Sequence, residues 1–302
     1  SDAEWVDLDG DGQVELILVG EFMPITILGK QKGRWTDVST IYFDEMQVGL
    51  WNELLVEDLN ADGKPDIVVG NQGLNTQMKA SVKEPLTLYH KDFDDNGSID
   101  PVLCFFMQGK SYPFVTRDEM LDQVSMLRTR FPDYKSYANA TIDEIFTPAE
   151  RKGAAILKVT ELKTMAFLLG KLNKFESMPL PVEVQSSPIF VISAFDYDKD
   201  GHKDLFLGGN QYQSRLKFGR NDANYGLLLK GNGKGNFQMI PQTFNDWTNC
   251  IVNDCKINLT KDFAQQRLAV YQDKRNTETQ KFISLYGEQH LNNIIQWFNQ
   301  VI

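Results

Sequence analysis

Four short segments of the chain carry oxygen-bearing side chains at one fixed spacing. In each segment Asp or Asn occupies positions 1, 3 and 5, glycine occupies position 6, and Asp or Glu occupies position 9. We call these segments loops 1 to 4; one copy would be a weak indication of function, whereas four copies indicate a repeated binding site. Over positions 1, 3, 5, 7 and 9, the candidate ligands are Asp7, Asp9, Asp11, Gln13 and Glu15 in loop 1; Asp58, Asn60, Asp62, Lys64 and Asp66 in loop 2; Asp92, Asp94, Asn96, Ser98 and Asp100 in loop 3; and Asp196, Asp198, Asp200, His202 and Asp204 in loop 4.

The spacing of these side chains suits a calcium ion. Calcium takes six to eight oxygen ligands, and carboxylates supply negative charge as well as oxygen. Glycine at position 6 permits the positive φ of a sharp turn, and position 7 needs to offer only its backbone carbonyl, so its side chain can vary. The sequence therefore predicts up to four bound Ca²⁺ ions with a structural role. The alternative is an Asx-turn, in which Asp and Asn bond to their own backbone.

Short apolar runs lie before and after every loop. In loop 2, for example, Leu54 to Val56 precede the acidic residues and Ile67 to Val69 follow them. Runs of this length that are rich in Val, Ile and Phe and bounded by turn residues are typical of buried strands. Each loop is therefore predicted to join two strands. Because loops 2 and 3 begin only 34 positions apart, we expect loop 3 to join outer strands rather than inner ones.

The repeated unit of strand, acidic loop and strand resembles the FG-GAP (VCBS) repeat of integrin-α-type propellers. Gly70-Asn71-Gln72 and Gly208-Gly-Asn-Gln211 stand where that family carries its Gly-Ala-Pro element, although no literal Gly-Ala-Pro is present. Phe195-Asp196 stands near its Phe-Gly element. The resemblance implies an all-β fold, a propeller of several four-stranded blades, incomplete in this chain, with structural calcium. It does not imply one particular activity.

The order of motifs suggests four regions along the chain. Residues 1–115 are predicted to form propeller blades with loops 1 to 3, and residues 153–286 to form further blades with loop 4. Between them, residues 116–152 contain the capping-box sequences that begin at Thr116, Thr141 and Thr147, which predict a helical insertion. Residues 287–302 are predicted to form a helix or a closing strand. Tyr112 to Glu119 and Tyr137 to Thr141 resemble an insertion found in FG-GAP proteins of Bacteroidetes-type bacteria.

The charge and composition of the chain limit the class of partner that it can bind and the compartment in which we expect it. The net charge of −10 argues against nucleic acid, which binds basic surfaces, and no apolar run is long enough to span a membrane. Calcium sites of this kind suit an extracellular, cell-surface or periplasmic location. Cys250 and Cys255 are close enough in sequence to form a disulfide, whereas Cys104 lies in an apolar run and is expected to be a buried thiol. The abrupt start at Ser1 suggests a trimmed chain that further blades preceded.

These observations favour a non-catalytic, calcium-stabilised extracellular module that binds a protein or glycan partner. The insertion is either a recognition surface or an ordinary solvated set of helices. One alternative function is a polysaccharide-active enzyme, in which two of these carboxylates would act as acid and base, although nearly every clustered acid is already assigned to calcium. Another alternative is a structural subunit of a cell-surface complex. The sequence contains no P-loop, GxSxG or HExxH motif that would point to a specific reaction.

Overall fold

The protein is rich in β-structure and contains four four-stranded sheets, which we number by the acidic loop that each contains. The computed structural model describes residues 2–212, 219–239, 241 and 243–302. The strands are β1 (Asp2–Val6), β2 (Glu15–Val19), β3 (Glu21–Pro24), β4 (Thr26–Gln31), β5 (Arg34–Asp37), β6 (Val48–Leu50), β7 (Glu53–Glu57), β8 (Asp66–Gly70), β9 (Leu86–Lys91), β10 (Asp100–Met107), β11 (Lys110–Pro113), β12 (Ala155–Val159), β13 (Met165–Leu169), β14 (Phe175–Met178), β15 (Val191–Phe195), β16 (Asp204–Gly208), β17 (Leu227–Gly231) and β18 (Phe237–Met239).

Every acidic loop joins two strands that follow each other in sequence, as predicted. Sheet 1 has the order β1-β2-β4-β5, sheet 2 the order β7-β8-β13-β14, sheet 3 the order β12-β9-β10-β11 and sheet 4 the order β15-β16-β17-β18. The strand pairs of sheets 1 to 3 are antiparallel. The structure therefore confirms one part of the all-β prediction, namely that the chain forms several antiparallel sheets.

Sheet 3 is inserted in the middle of sheet 2. Sheet 2 takes its first two strands from residues 53–70 and its last two from residues 165–178, and the whole of sheet 3 lies between them in sequence. This arrangement explains why loops 2 and 3 are close in sequence. The expectation that loop 3 joins outer strands is wrong, because β9 and β10 are the two middle strands of sheet 3. Sequence spacing alone does not show that a new sheet has begun.

Short helices occupy the stretch between β11 and β12. Thr116, Thr141 and Thr147 each form the predicted capping box with the Glu three residues later. Apolar side chains from this stretch, including Met120, Leu127, Ile145 and Phe146, are buried against sheet 3 residues such as Val102 and Cys104. The helices are α2 (Arg117–Gln123), α3 (Tyr134–Tyr137), α4 (Ile142–Ile145) and α5 (Pro148–Arg151), and one earlier turn, α1 (Ser39–Tyr42), precedes β6.

The C-terminal region is helical, so the prediction that propeller blades extend to residue 286 is wrong for the residues from Phe244 onward. Helices α6 (Phe244–Asn249), α7 (Lys261–Gln272) and α8 (Thr277–Val301) occupy this region, with a π-helical turn at Cys250–Asp254. Thr260 and Asn276 cap α7 and α8. Short apolar runs do not by themselves distinguish strands from buried helices. Of the two alternatives for residues 287–302, the helix is observed, as the end of α8.

The backbone divides into two compact units, each with its own apolar core. The first comprises the residues up to Asp58, Gly63–Ile192 and Leu207–Gly226; the second comprises Leu59–Asp62, Ser193–Phe206 and Leu227–Ile302. In the first unit, sheets 1 and 2 share a core that includes Ile27, Trp51 and Phe167. In the second unit, Trp247, Trp297 and Phe298 bring α6 and α8 together. Trp247 is therefore a core residue, and all three cysteines are free, with Cys104 buried.

Within the first unit, the buried side chain of Asn71 links the two chain segments that flank the inserted sheet 3. The Asn71 amide nitrogen donates to the carbonyls of Glu161 and Lys163, at 3.0 and 3.1 Å. Its amide oxygen accepts hydrogen bonds from the backbone N–H groups of Leu50 and Gln72, at 3.1 and 2.8 Å. Asn71 belongs to the Gly-Asn-Gln element after loop 2, so this element has a structural role: its side chain joins the two chain segments between which sheet 3 is inserted.

We expect Asn71→Ala to lower the free energy of unfolding by about 3 kcal/mol, because it leaves buried carbonyl and N–H groups without partners. Asn75→Ala is the matched control, since its exposed amide makes a single bond, to the carbonyl of Ser186; that change should cost less than about 0.5 kcal/mol. Urea unfolding of both variants tests the prediction. Equal stability of the two variants would contradict the role assigned to Asn71.

Candidate metal-binding loops and an adjacent cleft

Three of the four loops bring carboxylates from positions 1, 3 and 9 together. The trios are Asp7, Asp9 and Glu15; Asp92, Asp94 and Asp100; and Asp196, Asp198 and Asp204. Within each trio, one oxygen from every carboxylate lies within 4.8 Å of the others. In loop 2, position 3 is an amide, Asn60, which donates to Asp62 at 3.4 Å, so that loop cannot form the same carboxylate trio.

The backbone of the loops repeats as closely as their sequence does. Glycine at position 6 has a φ of +84°, +83°, +87° and +87° in loops 1 to 4, a conformation that a side chain with a Cβ resists. In all four loops the N–H of this glycine donates to the position-1 carboxylate, at 2.7 to 2.9 Å. Position 4 also has positive φ in every loop. The common pattern therefore encodes one turn, made four times.

The side chains at positions 3 and 5 also accept backbone hydrogen bonds. Position 3 accepts from the N–H of position 5 in loops 1, 2 and 4, at 2.9 to 3.2 Å. Position 5 accepts from the N–H of position 7 in loops 1, 3 and 4, at 2.7 to 2.9 Å. These are Asx-turn contacts, so the loops have the geometry of that alternative as well. A carboxylate that uses one oxygen in this way still has lone pairs to offer a cation.

The acid at position 9 is buried in every loop and is the innermost member of the pattern. Glu15, Asp66, Asp100 and Asp204 are 7, 0, 2 and 1% exposed. In loops 1, 3 and 4 this carboxylate accepts the N–H of position 2, at 2.9 to 3.0 Å. Asp66 and Asp204 also accept an N–H from the third strand of their sheets, that of Leu169 at 2.8 Å and that of Gly231 at 2.9 Å. The position-9 acid thus joins the loop to the sheet behind it.

These buried acids carry charge that the protein alone stabilises incompletely. Burial raises the pKa of Glu15, Asp100 and Asp204, and the neighbouring loop carboxylates raise it further. Their hydrogen bonds from backbone N–H groups act in the opposite direction but do not reverse the shift. A cation beside these carboxylates would favour their ionised form.

Loop 3 gives the clearest indication that its residues fit a metal ion. The Oδ1 atom of Asp94, at position 3, is buried and has no hydrogen-bond partner among the described residues. A buried carboxylate oxygen without a partner is costly, and this one belongs to a trio with Asp92 and Asp100. An oxygen-preferring cation would satisfy it, and the donor set of carboxylates suits calcium.

The position-7 side chains vary in their contacts, as expected if this position contributes only backbone. Gln13 donates to Asp11 at 3.1 Å, whereas Lys64 donates to the carbonyl of Gly170 at 2.9 Å. The imidazole of His202 packs closely against Gly233, where an added Cβ would lie 2.3 Å from Nδ1. None of these side chains belongs to the carboxylate trios found in the described part of the chain.

Lys230, which contacts loop 4 from strand β17, was not predicted from the sequence. Its ammonium group forms ion pairs with Asp198 and with Asp200, the latter at 2.9 Å. Lys230 lies 26 positions after loop 4 and follows Leu227-Leu-Leu229, so its spacing gives no indication of the pairing. The available signal was a lysine in an apolar strand, because a buried ammonium needs an anionic partner.

A cleft of about 640 Å³ lies in the first unit, between sheet 3 and α4. Tyr89, Ser111 and three lysines are among the residues that line it. The lysines, Lys83, Lys110 and Lys158, are exposed, and none forms an ion pair within the described residues. The acids in the cleft are engaged: Asp143 pairs with Arg151 at 2.7 Å, and Glu144 accepts from Thr141 in its capping box.

Comparison with known proteins agrees with the resemblance noted in the sequence. Residues 7–69 match the family model of the FG-GAP-like repeat. The matched stretch contains all of loops 1 and 2, together with β2, β7 and all but the last residue of β8. It confirms that the chain carries a repeat of the FG-GAP type. No curated protein matches the sequence, and no helix in the described part of the chain is both long and apolar enough to cross a membrane.

Asp94→Asn should change stability in opposite directions with and without calcium. In calcium we expect a loss of roughly 1–3 kcal/mol, since a site filled at 100 times its Kd contributes about 2.7 kcal/mol. In chelator the same change should stabilise the protein, because it removes a buried charge that lacks a partner. Unfolding free energies measured in both conditions check this crossover.

Asp95→Asn provides the matched control, since it removes one charge from the same loop. Asp95 is exposed, stands at position 4 outside the ligand pattern, and has a φ of +56° that asparagine also tolerates. Its calcium-dependent stabilisation should equal that of the unaltered protein. The ligand role of Asp94 is wrong if both variants respond to calcium alike.

Proposed function

We propose that this FG-GAP-repeat chain is a calcium-stabilised extracellular module that binds a protein or glycan partner. Its four-stranded sheets would act as blades of a β-propeller, with sheet 3 and its helices as an insertion. Calcium would be held in loops 1 to 3, and in loops 1 and 3 its ligands would be the carboxylates at positions 1, 3 and 9. The ions would stabilise the corners between strands and leave recognition to other surfaces.

The unpartnered oxygen of Asp94 is the observation that carries the calcium part of the proposal. Hydrogen bonding alone explains the carboxylates at position 1, which accept the glycine N–H in all four loops. It does not explain a buried Asp94 oxygen for which the described residues provide no donor. A structural role is favoured because the loops' side chains are already fixed by backbone contacts, and a fixed cage of protein oxygens leaves little room for a substrate.

The lysine-lined cleft supports the binding part of the proposal. Loops and insertions on a rigid scaffold commonly carry recognition, and this cleft lies between sheet 3 and the inserted helix α4. Val82 and Ile156, both lining residues, are 83 and 49% exposed. Exposed lysines beside exposed apolar side chains favour a partner that combines negative charge with apolar surface. Because the cleft's carboxylates are engaged, we favour binding over acid–base catalysis there.

The proposed location follows from the proposed metal. Sites of extracellular modules are often weak, with a Kd of about 10⁻⁴–10⁻³ M, and stay filled only where calcium is abundant. The FG-GAP repeat is itself typical of extracellular proteins, which agrees with this location. A cell-surface or periplasmic position would supply calcium in the same way.

The double variant Lys110→Glu/Lys158→Glu should abolish partner retention in affinity capture from a cell-surface extract. The experiment is run in millimolar calcium and in chelator, and a panel of anionic and neutral polysaccharides is screened in parallel. Reversal of two charges in the cleft should weaken an anionic partner more than tenfold, because like charges across an interface repel.

Lys135→Glu is the control for surface charge, because Lys135 is exposed on α3 and does not line the cleft. It should retain the partner in calcium. A partner that both variants retain equally would show that recognition lies elsewhere. Turnover of a polysaccharide, rather than its retention, would replace the binding proposal by an enzymatic function.

A further inference from the structure

Loop 4 differs from loops 1 and 3 because, within the described residues, a lysine side chain forms ion pairs with its carboxylates. Lys230 lies on β17 and is 7% exposed, and the side chains of Asp198 and Asp200 are 6 and 11% exposed. The ammonium group pairs with both carboxylates and lies 4.9 Å from the centre of the Tyr286 ring. Two buried anions and an aromatic face therefore surround one buried cation, which is the environment that a buried ammonium requires.

The position of Lys230 in its strand explains how it reaches the loop. The next residue, Gly231, donates its N–H to Asp204 at 2.9 Å. Sheet 2 repeats this contact, with Leu169 donating to Asp66 at 2.8 Å. The residue before Leu169 is Leu168, so the place that Lys230 occupies in sheet 4 is held in sheet 2 by a side chain without charge.

Loop 3 shows the opposite situation. The lysine nearest to it in sequence, Lys91, donates to the carbonyls of Glu150 and Lys152, at 2.6 and 3.0 Å. No lysine pairs with Asp94 among the described residues, and Asp94 Oδ1 lacks a partner. Loop 3 therefore has a buried carboxylate oxygen that a cation would satisfy, whereas Asp198 and Asp200 of loop 4 already pair with one.

We propose that Lys230 is the built-in cation of loop 4 and replaces calcium there. The inference rests on the proposed calcium role of the other loops. In loop 4 an ion bound to Asp198 and Asp200 would share its ligands with a positive ammonium group. Repulsion between the two cations in a poorly solvated site would weaken calcium binding. Loop 4 would thus stay ordered at calcium concentrations at which the other loops lose their ions.

The test is Lys230→Met, which keeps the length of the side chain and removes its charge. Calcium bound per protein is counted by equilibrium dialysis, and thermal unfolding is followed in calcium and in chelator. We expect the variant to bind one more calcium ion than the unaltered protein. Its loop 4 should bind calcium roughly tenfold or more tightly, since a neighbouring positive charge has been removed. In chelator its unfolding midpoint should fall, and calcium should restore it.

Two further variants make the result decisive. Lys230→Arg retains a positive charge and should keep the original number of ions, and Lys234→Met removes an exposed charge from the same hairpin and should change nothing.

Equal calcium counts and equal affinities in Lys230→Met and the unaltered protein would overturn the proposal. If no variant binds calcium at all, the proposed calcium role of loops 1 to 3 fails. The chelator midpoint of Lys230→Met against Lys234→Met then still tests the lysine: an unchanged midpoint overturns its role, and a lowered one upholds it.

Discussion

The hydrogen bonds that the buried acid at position 9 accepts are the interaction on which the rest of each loop depends. The acid is almost inaccessible in all four loops, and in loops 1, 3 and 4 it fixes the start of its own loop by accepting a backbone N–H. In loops 2 and 4 it also reaches the third strand of the sheet. Burying such a charge is costly unless it is compensated. The outer acids of the loop increase that cost, because they repel it.

Loops 3 and 4 differ in how their own side chains meet this electrostatic cost. Loop 4 supplies an ammonium group from its own sheet, through Lys230. Loop 3 leaves an Asp94 oxygen without a partner, which an external cation would satisfy. Under the proposals made above, one repeated turn would serve as a metal site in one sheet and as a salt-bridged corner in another.

Local features were predictable from the sequence, and long-range ones were not. Glycine at position 6, the strand on each side of a loop and the three threonine capping boxes depend on residues close in the chain, and the structure contains them all. The insertion of sheet 3 within sheet 2 depends on pairing between β8 and β13, far apart in sequence. The ion pairs between Lys230 and loop 4 could not be predicted for the same reason, because the paired residues are far apart in sequence. The C-terminal helices could not be predicted, because their apolar runs are short and short runs fit a strand as well as a helix. Their core is shared among several helices, so no single run shows it.

The most direct measurement is a crystal structure of the protein grown in calcium, with data collected to record anomalous scattering from calcium. We predict an anomalous peak between Asp92, Asp94 and Asp100 and another between Asp7, Asp9 and Glu15. We predict no peak beside Asp198 and Asp200, where the ammonium group of Lys230 lies. Absence of a peak in loop 3, with Asp94 Oδ1 still buried and without a partner, would contradict the proposal that a cation completes this loop.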